Sequence, residues 1–396
     1  MSPQTHDHIG VGMVGYSFMG RAHSHAWHTV ARAFPDVPLK PELTAICGRD
    51  KTATEEAAGR LGWKSSETDW HALIERDDVG LIDISAPGDT HAPIAIAALK
   101  AGKHVLCEKP LANTLVEAES MAEVAAEAYQ KSGARAMVGF NYRRVPALAL
   151  ARQYVDDGRI GTLRHVRAVY LQDWLSDPES PMTWRMQAER AGSGALGDLG
   201  AHIVDIVRYL TGEEIVSVSA LSATFVDERP FADGGTGIVS VDDAVLFNAE
   251  MSGGGLASFE ATRYATGHKN GLKVELNGSE GSIIFDLERL NELTVLSRTP
   301  TPGITSGGSG GVVPPGERYD SGFTTILVTE PEHPYLSAWW PAGHVLGWEH
   351  TFIHQARDLL TAIAEGTQPE PSFEDGLAVQ RVLDAVQKSA KSDDES

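Results

Sequence analysis

"HIGVGMVGYSFMGRAH", residues 8–23, opens as an apolar run, turns on glycine and continues with a helical period. Gly15, Ser17 and Gly20 stand where a dinucleotide-binding turn has its G-x-G-x-x-G, with serine at the middle position. The first glycine permits a tight turn, and the third lets helix and strand pack closely. Ser17 is small enough for backbone to approach a pyrophosphate, and free N–H groups at a helix N-terminus favour an anion there. Such a turn has this meaning only inside a longer strand–helix alternation.

The alternation continues. Strands are predicted at 42–48, 79–87, 103–109 and 134–142, and helices at 51–62, 91–102 and 113–133. Apolar strands separated by helices predict a parallel sheet covered on both faces, with ligands beyond its carboxyl ends. The loops at 15–20, 48–50, 86–91 and 108–110 lie at those ends. The candidate cofactor contacts are Gly15, Ser17, Phe18, Met19, Gly20, Arg49, Asp50, Pro87, His91, Glu108, Lys109 and Asn141.

After about residue 150 the pattern changes. One helix, "PALALARQYVDDG", precedes alternating segments such as "LRHVRAVYLQDW", "IVSVSALSATF", "DDAVLFNAEM" and "LKVELNGSEGSIIFDL". They suit an antiparallel sheet with one wet face. In "NGSEGS", Asn277–Gly278 is expected to supply positive φ for a hairpin turn. Residues 300–320 form a Gly/Pro/Ser connector, and helices return at 347–366 and 373–392. The expected fold is α/β: a Rossmann domain over 1–142, then an α+β domain over 143–396. The second domain carries a large open, mostly antiparallel sheet, and its C-terminal helices fold back.

The 396 residues carry a net charge of −21, which argues against a nucleic-acid surface. No apolar run is long enough to span a membrane, and "MSPQTHDHIG" lacks the pattern of a cleaved secretion signal. Cys47 and Cys107 each end an apolar segment. They read as reduced, half-buried residues of a cytoplasmic protein.

The second predicted strand ends "CGRD". An acidic residue there would bind the ribose hydroxyls of NAD, whereas an arginine accommodates the phosphate of NADP. Arg49 leans towards NADP and Asp50 remains within reach of a ribose, so both cofactors stay open. "CEKP" follows at 107–110, where Pro110 biases Lys109 away from helix and a cis peptide is compatible. A lysine beside a nicotinamide can hydrogen-bond a substrate hydroxyl or, if burial lowers its pKa, shuttle a proton. The plain alternative is a surface lysine paired with Glu108.

The N-terminal turn, "AGKHVLCEKPLA", the following "VGFNYRR" and "GDLGAHIVD" together resemble the Gfo/Idh/MocA oxidoreductases, the glucose–fructose oxidoreductase and inositol dehydrogenase group. The resemblance covers nearly the whole chain. It implies a catalytic Lys109, joined by Asp198 and His202. Ser17 and the absent acidic end of the second strand depart from the pattern and bear on cofactor preference.

Asp198, His202, Asp205 and Tyr209 recur at helical spacing, apart from the apolar stripe of Leu199, Ile203, Ile206, Val207 and Leu210. Asp198 reads otherwise as a helix cap, and His202 as a core imidazole. Oxidising CHOH sends hydride to a nicotinamide and a proton to a base. His202, with a pKa near neutrality, is the expected base, Asp198 orients it or holds an adjacent hydroxyl, and Lys109 fixes the reacting oxygen. A hydride acceptor needs no Lewis acid, so no metal is expected.

"YLQDWLSDPESPMTWRMQ" (170–187) offers Gln172, Trp174 and Arg185 for sugar recognition, or for plain loop packing. The loop is similar to that of sugar-oxidising members of the group. "YLSAWWPAGHVLGWEH" (335–350) either closes the pocket or plugs the C-terminal helix, and His25 and His28 read as helix surface. The expected activity is an NAD- or NADP-dependent oxidation of a secondary hydroxyl of a sugar, anhydrosugar or cyclitol, or the reverse reduction. The expected assembly is a homo-oligomer, dimer or tetramer, built on the second sheet's outer face. Alternatives are a non-catalytic nucleotide and sugar sensor, and an NAD-dependent glycosidase.

Overall fold

A computed structural model describes residues 7–297 and 322–393. The 300–320 connector lies outside the described residues. The N-terminal part runs β1 (His8–Val14), α1 (Phe18–Ala33), β2 (Lys40–Cys47), α2 (Lys51–Leu61), β3 (Ser65–Glu67), α3 (Trp70–Glu75), β4 (Leu81–Ile84), α4 (His91–Lys100), β5 (His104–Cys107), α5 (Leu115–Ser132) and β6 (Ala136–Val138). These six strands form one parallel sheet in the order β3-β2-β1-β4-β5-β6. The order reverses beside β1, so the crevice beyond its carboxyl end is the ligand position of a doubly wound sheet.

Gly15 shows why that turn takes glycine. Its φ is +101°, and an added Cβ would lie 2.7 Å from the Ser85 carbonyl oxygen. At Gly20 a Cβ would lie 2.4 Å from the Gly15 carbonyl oxygen, so α1 can only sit this close to the turn without a side chain there. Cys47 and Cys107 are fully buried free thiols rather than half-buried ones, because each strand end is covered on both faces.

The second part holds α6 (Pro146–Asp156), β7 (Leu163–Leu171), α7 (Ala188–Ala191), α8 (Ala201–Thr211), β8 (Ile215–Ala223), β9 (Glu228–Pro230), β10 (Thr236–Ile238), β11 (Ala244–Met251), β12 (Leu256–Thr262), β13 (Gly271–Gly278), β14 (Gly281–Asp286), β15 (Glu292–Ser297), β16 (Thr324–Leu327), α9 (His350–Glu365) and α10 (Phe373–Asp393). Eight strands make a sheet ordered β16-β15-β14-β13-β7-β12-β11-β8. It is antiparallel except where β7 and β12 run parallel. Its inner face packs on α6, α8 and α10, with Phe247 and Phe259 stacked at 4.5 Å. Such an aromatic pair adds about 0.5–1.5 kcal/mol beyond its buried area.

Its outer face is mixed. Leu221, Leu246 and Leu256 are exposed among Asn248, Glu250 and Arg167. The β13–β14 turn also differs from expectation: it is made by Ser279 and Glu280, and neither Asn277 nor Gly278 has positive φ. Gly278 is required instead by close approach, since a Cβ would lie 2.0 Å from the Ile160 carbonyl oxygen.

The C-terminal helices return to the first sheet. Phe352, Ile353, Ala356, Leu359 and Leu360 of α9 share a buried cluster with Val11, Met13, Trp27 and Val30, and α10 lies against α5 and β8. Among the described residues no helix is long and apolar enough to cross a membrane.

Candidate active site

A cavity of about 790 Å³ opens where the carboxyl ends of the parallel strands meet the inner face of the second sheet. Its first end is lined by Gly15, Ser17, Phe18, Met19, Pro87, His91 and Asn141. Ser17 occupies the N-cap position of α1 but makes no capping hydrogen bond, which leaves its hydroxyl and the first helical N–H groups for a ligand. The His91 ring nitrogens lie 2.9 and 3.0 Å from the carbonyl oxygens of Pro110 and Ala86, tying the β4 and β5 loops together. Asn141 donates to the Thr351 hydroxyl at 2.8 Å. The close approach at Gly15 and Gly20, the unengaged Ser17 and the cavity size fit a bound dinucleotide.

Arg49 and Asp50 do not line this cavity. The Asp50 carboxylate caps α2, accepting from the Ala53 N–H at 2.8 Å, and Arg49 is exposed. The short polar side chain after β2 satisfies an orphan helix donor. Glu108 does line the cavity, but its carboxylate turns inward, taking His23 Nε2 at 3.0 Å and the Lys109 backbone N–H at 3.1 Å. It does not pair with the Lys109 ammonium.

That ammonium reaches across the cavity. Lys109 Nζ donates to the Asp198 carbonyl oxygen at 2.8 Å and to its carboxylate at 3.2 Å. The Lys109–Pro110 peptide is cis. Asp198 lies in a π-helical turn, Leu196–Gly200, that leads into α8. It is not a helix cap: Asp242 does that work, its two carboxylate oxygens accepting the Gly194 and Leu196 N–H groups at 2.7 Å each. Burial opposes ionisation of Asp198, but the charges of Lys109, Arg263 and Arg185 overcome it and hold the carboxyl down at about 2.

His202 stands four residues on, packed by the rings of Phe140, Tyr142 and Tyr170 at 6.2, 4.7 and 5.8 Å. Among the described residues its imidazole has no hydrogen-bond partner, yet it lines the cavity. Asp198 therefore does not orient it; aromatic packing does, because Lys109 has already claimed the carboxylate. Burial, with help from the Lys109 charge and only partly offset by Asp198, pushes the imidazole well below its ordinary 6.5, not near neutrality. The ring that faces the cavity is thus a neutral imidazole.

Asp205, although in register with these groups, is buried in a bidentate pair with Arg143 at 2.6–3.1 Å. Among the described residues no three His, Cys, Asp or Glu side chains gather where a metal would bind. His28 meets the Leu61 carbonyl and His25 is exposed.

The second end of the cavity gathers Gln172, Trp174 and Arg185 with Lys109, Asp198 and His202. Trp174 Nε1 donates to Gln172 Oε1 at 2.9 Å, and Gln172 Nε2 to Asn270 Oδ1 at 2.7 Å. Tyr170 donates to the same Asn270 oxygen at 2.8 Å and lies 2.9 Å from the Tyr142 hydroxyl. This chain of amides and hydroxyls beside indole rings matches the needs of a polyhydroxylated ring. Asn270, Tyr142, Trp184 and Arg263 also line the cavity and were not found from sequence. "NYRR" and "HKNG" carry no spacing that marks them. In the 335–350 segment Trp348 joins the cavity wall, whereas Trp339 packs on His354 beneath it.

Residues 9–140 match the model of an oxidoreductase family with an NAD-binding Rossmann fold, and residues 148–284 match the GFO/IDH/MocA C-terminal domain. A levoglucosan dehydrogenase of Pseudarthrobacter phenanthrenivorans is 40% identical, with 96% of each chain covered. An inositol 2-dehydrogenase of Rhizobium meliloti is 26% identical, again over 96% of each. Among solved structures, an oxidoreductase domain protein from Kribbella flavida superposes with a TM-score of 0.90 at 57% identity, covering 97% of both chains. A levoglucosan dehydrogenase in complex with NADH superposes at 0.89 and 40% identity, with 97% of both chains covered.

Proposed function

The chain belongs to the GFO/IDH/MocA oxidoreductase family, and from that premise we propose that it oxidises a secondary hydroxyl of an anhydrosugar, sugar or cyclitol with NAD, or runs the reverse reduction. What carries the reading is one constellation: a lysine held on an aspartate, facing an unpartnered neutral imidazole, between a dinucleotide-type turn and an amide–indole wall. A sensor has no use for that combination.

Gly15, Ser17, Phe18, Met19, Pro87, His91 and Asn141 would hold the dinucleotide, which when bound supplies the hydride acceptor. Each oxidation leaves one proton for the protein. Lys109 fixes the reacting oxygen and stabilises its developing negative charge. His202 takes the proton, and Asp198 holds the Lys109 ammonium in place. Gln172, Trp174 and Arg185 hold the ring. Positioned acid–base catalysis of this kind contributes about 10²–10⁴ in rate.

We place the domain boundary at residue 142, between the end of β6 at Val138 and the start of α6 at Pro146. The exposed leucines on the outer sheet face support assembly of two or four copies through it. The two free thiols support a cytoplasmic location.

The test is the purified chain with NAD or NADP and a panel of anhydrosugars, pyranoses and cyclitols, read by reduced-nicotinamide absorbance. NADH formation with at least one such compound is expected. Binding without turnover would mark a sensor, and net hydrolysis without accumulated NADH a glycosidase.

A further inference from the structure

Beneath the Glu-Lys-Pro turn lies a charge cluster that the proposed chemistry does not use. His23 of α1 is buried to 1% exposure. Its Nδ1 lies 2.9 Å from both carboxylate oxygens of Asp83, and its Nε2 3.0 Å from Glu108 Oε1. Asp83 is fully buried on β4, and Glu108 is 5% exposed at the end of β5. Trp27 Nε1 and the Ser85 hydroxyl also donate to Asp83, at 2.7 and 3.2 Å. The other Glu108 oxygen receives the Lys109 backbone N–H.

A buried carboxylate needs a donor or a counter-charge. A neutral imidazole has one N–H, and its bare nitrogen would face the lone pairs of whichever carboxylate it failed to serve. Only the doubly protonated ring donates to both. The other groups against it are the Phe352 ring of α9 at 5.4 Å and the Ser85 hydroxyl, 3.5 Å from its Nδ1. Burial, with the same two carboxylates, keeps the Cys107 thiol of β5 protonated.

We propose that His23 is a positioning residue: a fixed imidazolium that bridges Asp83 and Glu108, turns Glu108 away from the Lys109 ammonium, and so sets the lysine backbone from which that ammonium reaches Asp198. Burial alone would depress the His23 pKa, but Asp83 and Glu108 overcome it and raise it to about 10. His23 is thus a standing charge and not a proton relay. The proposal rests on the role given to Lys109 above.

Two measurements separate the ideas. Histidine-selective ¹⁵N NMR of the full chain without dinucleotide should show both His23 ring nitrogens protonated from about pH 6 to about pH 9. A neutral tautomer within that range would overturn the proposal, whatever the role of Lys109. His23→Gln, which can serve one carboxylate only, should lower kcat about ten- to a hundredfold, the scale of a small misplacement, while KM for the sugar and the dinucleotide Kd stay within about twofold. If that variant does not fold, Glu108→Gln decides: the His23 pKa should fall by at least about one unit, and kcat should drop with KM unchanged. Wild-type kcat in either variant would overturn the positioning role. An active Lys109→Ala enzyme with the NMR result intact would instead overturn the reading of Lys109 alone.

Discussion

Lys109 and Asp198 join the two sheets of the molecule, the ammonium nitrogen 2.8 Å from the aspartate carbonyl oxygen and 3.2 Å from its carboxylate. Neither residue is held so by its own element. The lysine follows β5, and the aspartate sits in a π-turn whose backbone is satisfied by Asp242. Lys109→Met keeps the aliphatic stem and removes the charge. It should lower kcat for sugar oxidation by about 10²–10⁴ with the dinucleotide Kd unchanged, measured by steady-state kinetics and by fluorescence titration with NADH. A fall in kcat below tenfold would remove the ammonium from the chemistry.

His202 gives the pH dependence its direction. Its pKa is lowered in the folded protein, so the neutral form is the one the fold favours. On acidification the unfolded chain binds the proton first, and stability is lost as pH falls below the ordinary 6.5. Activity needs the neutral ring, so kcat/KM for oxidation should stay level through 6.5 and fall only at lower pH. A pH–rate profile between about pH 5 and pH 8 checks this, and an inflection at the unperturbed histidine value that disappears in His202→Asn would contradict it.

Most of the architecture was legible because its signals are local. Gly15 and Gly20, strand–helix alternation and helix-ending Gly62 and Gly212 each act within a few residues, and both latter glycines adopt positive φ at helix ends. The lysine–aspartate–histidine set was legible through motif likeness. What escaped depends on partners distant in sequence. Asp242 caps a turn 46 residues earlier, and that freed Asp198 for Lys109. Asn270 meets Gln172 across 98 residues. His23 sits in a run with His25 and His28, and only the fold tells the buried ring from the exposed ones. Asp50 was read as a ribose ligand because the strand end is right, but a carboxylate one residue before a helix also caps it.

Arg229 braces the loop after Trp174 from outside the cavity. Its guanidinium is 1% exposed and donates to the carbonyl oxygens of Leu175, Asp177 and Ser180 at 2.7, 2.8 and 3.2 Å. These carbonyls belong to the loop between Trp174 and Trp184. Arg229→Met leaves the Leu175 and Ser180 carbonyls without this donor, while Asp177 keeps the Ser180 N–H at 3.1 Å, at about 1–3 kcal/mol for each carbonyl left unpaired and buried. KM for the sugar should rise about tenfold or more, dinucleotide affinity should hold, and limited proteolysis should cut within 175–182. An unchanged KM would separate the loop from substrate binding.

Asp50 tests the cofactor end from the opposite side. Because its carboxylate caps α2, Asp50→Ala should lower stability by about 1 kcal/mol in denaturant unfolding and leave KM for NAD within about twofold. A tenfold rise in KM for NAD with unchanged stability would return Asp50 to the ribose.

Phe18 and Trp348 carry the last prediction. Their rings stack at 5.4 Å and 6°, linking the first turn of α1 to the segment that enters α9, and both line the cavity. Phe18 is nevertheless 61% exposed, so the stack is covered on one side only. Trp348 in turn meets Phe352 edge-on at 4.6 Å, which fixes the indole against the core. A dinucleotide in the cavity would lie against this wall, and an aromatic contact of that kind is worth about 0.5–1.5 kcal/mol. Trp348→Leu should therefore weaken NADH binding about two- to tenfold and diminish energy transfer from protein tryptophan to bound NADH, with kcat at saturating cofactor little changed. Full affinity in that variant would mean that the stack serves only to join α9 to the Rossmann sheet.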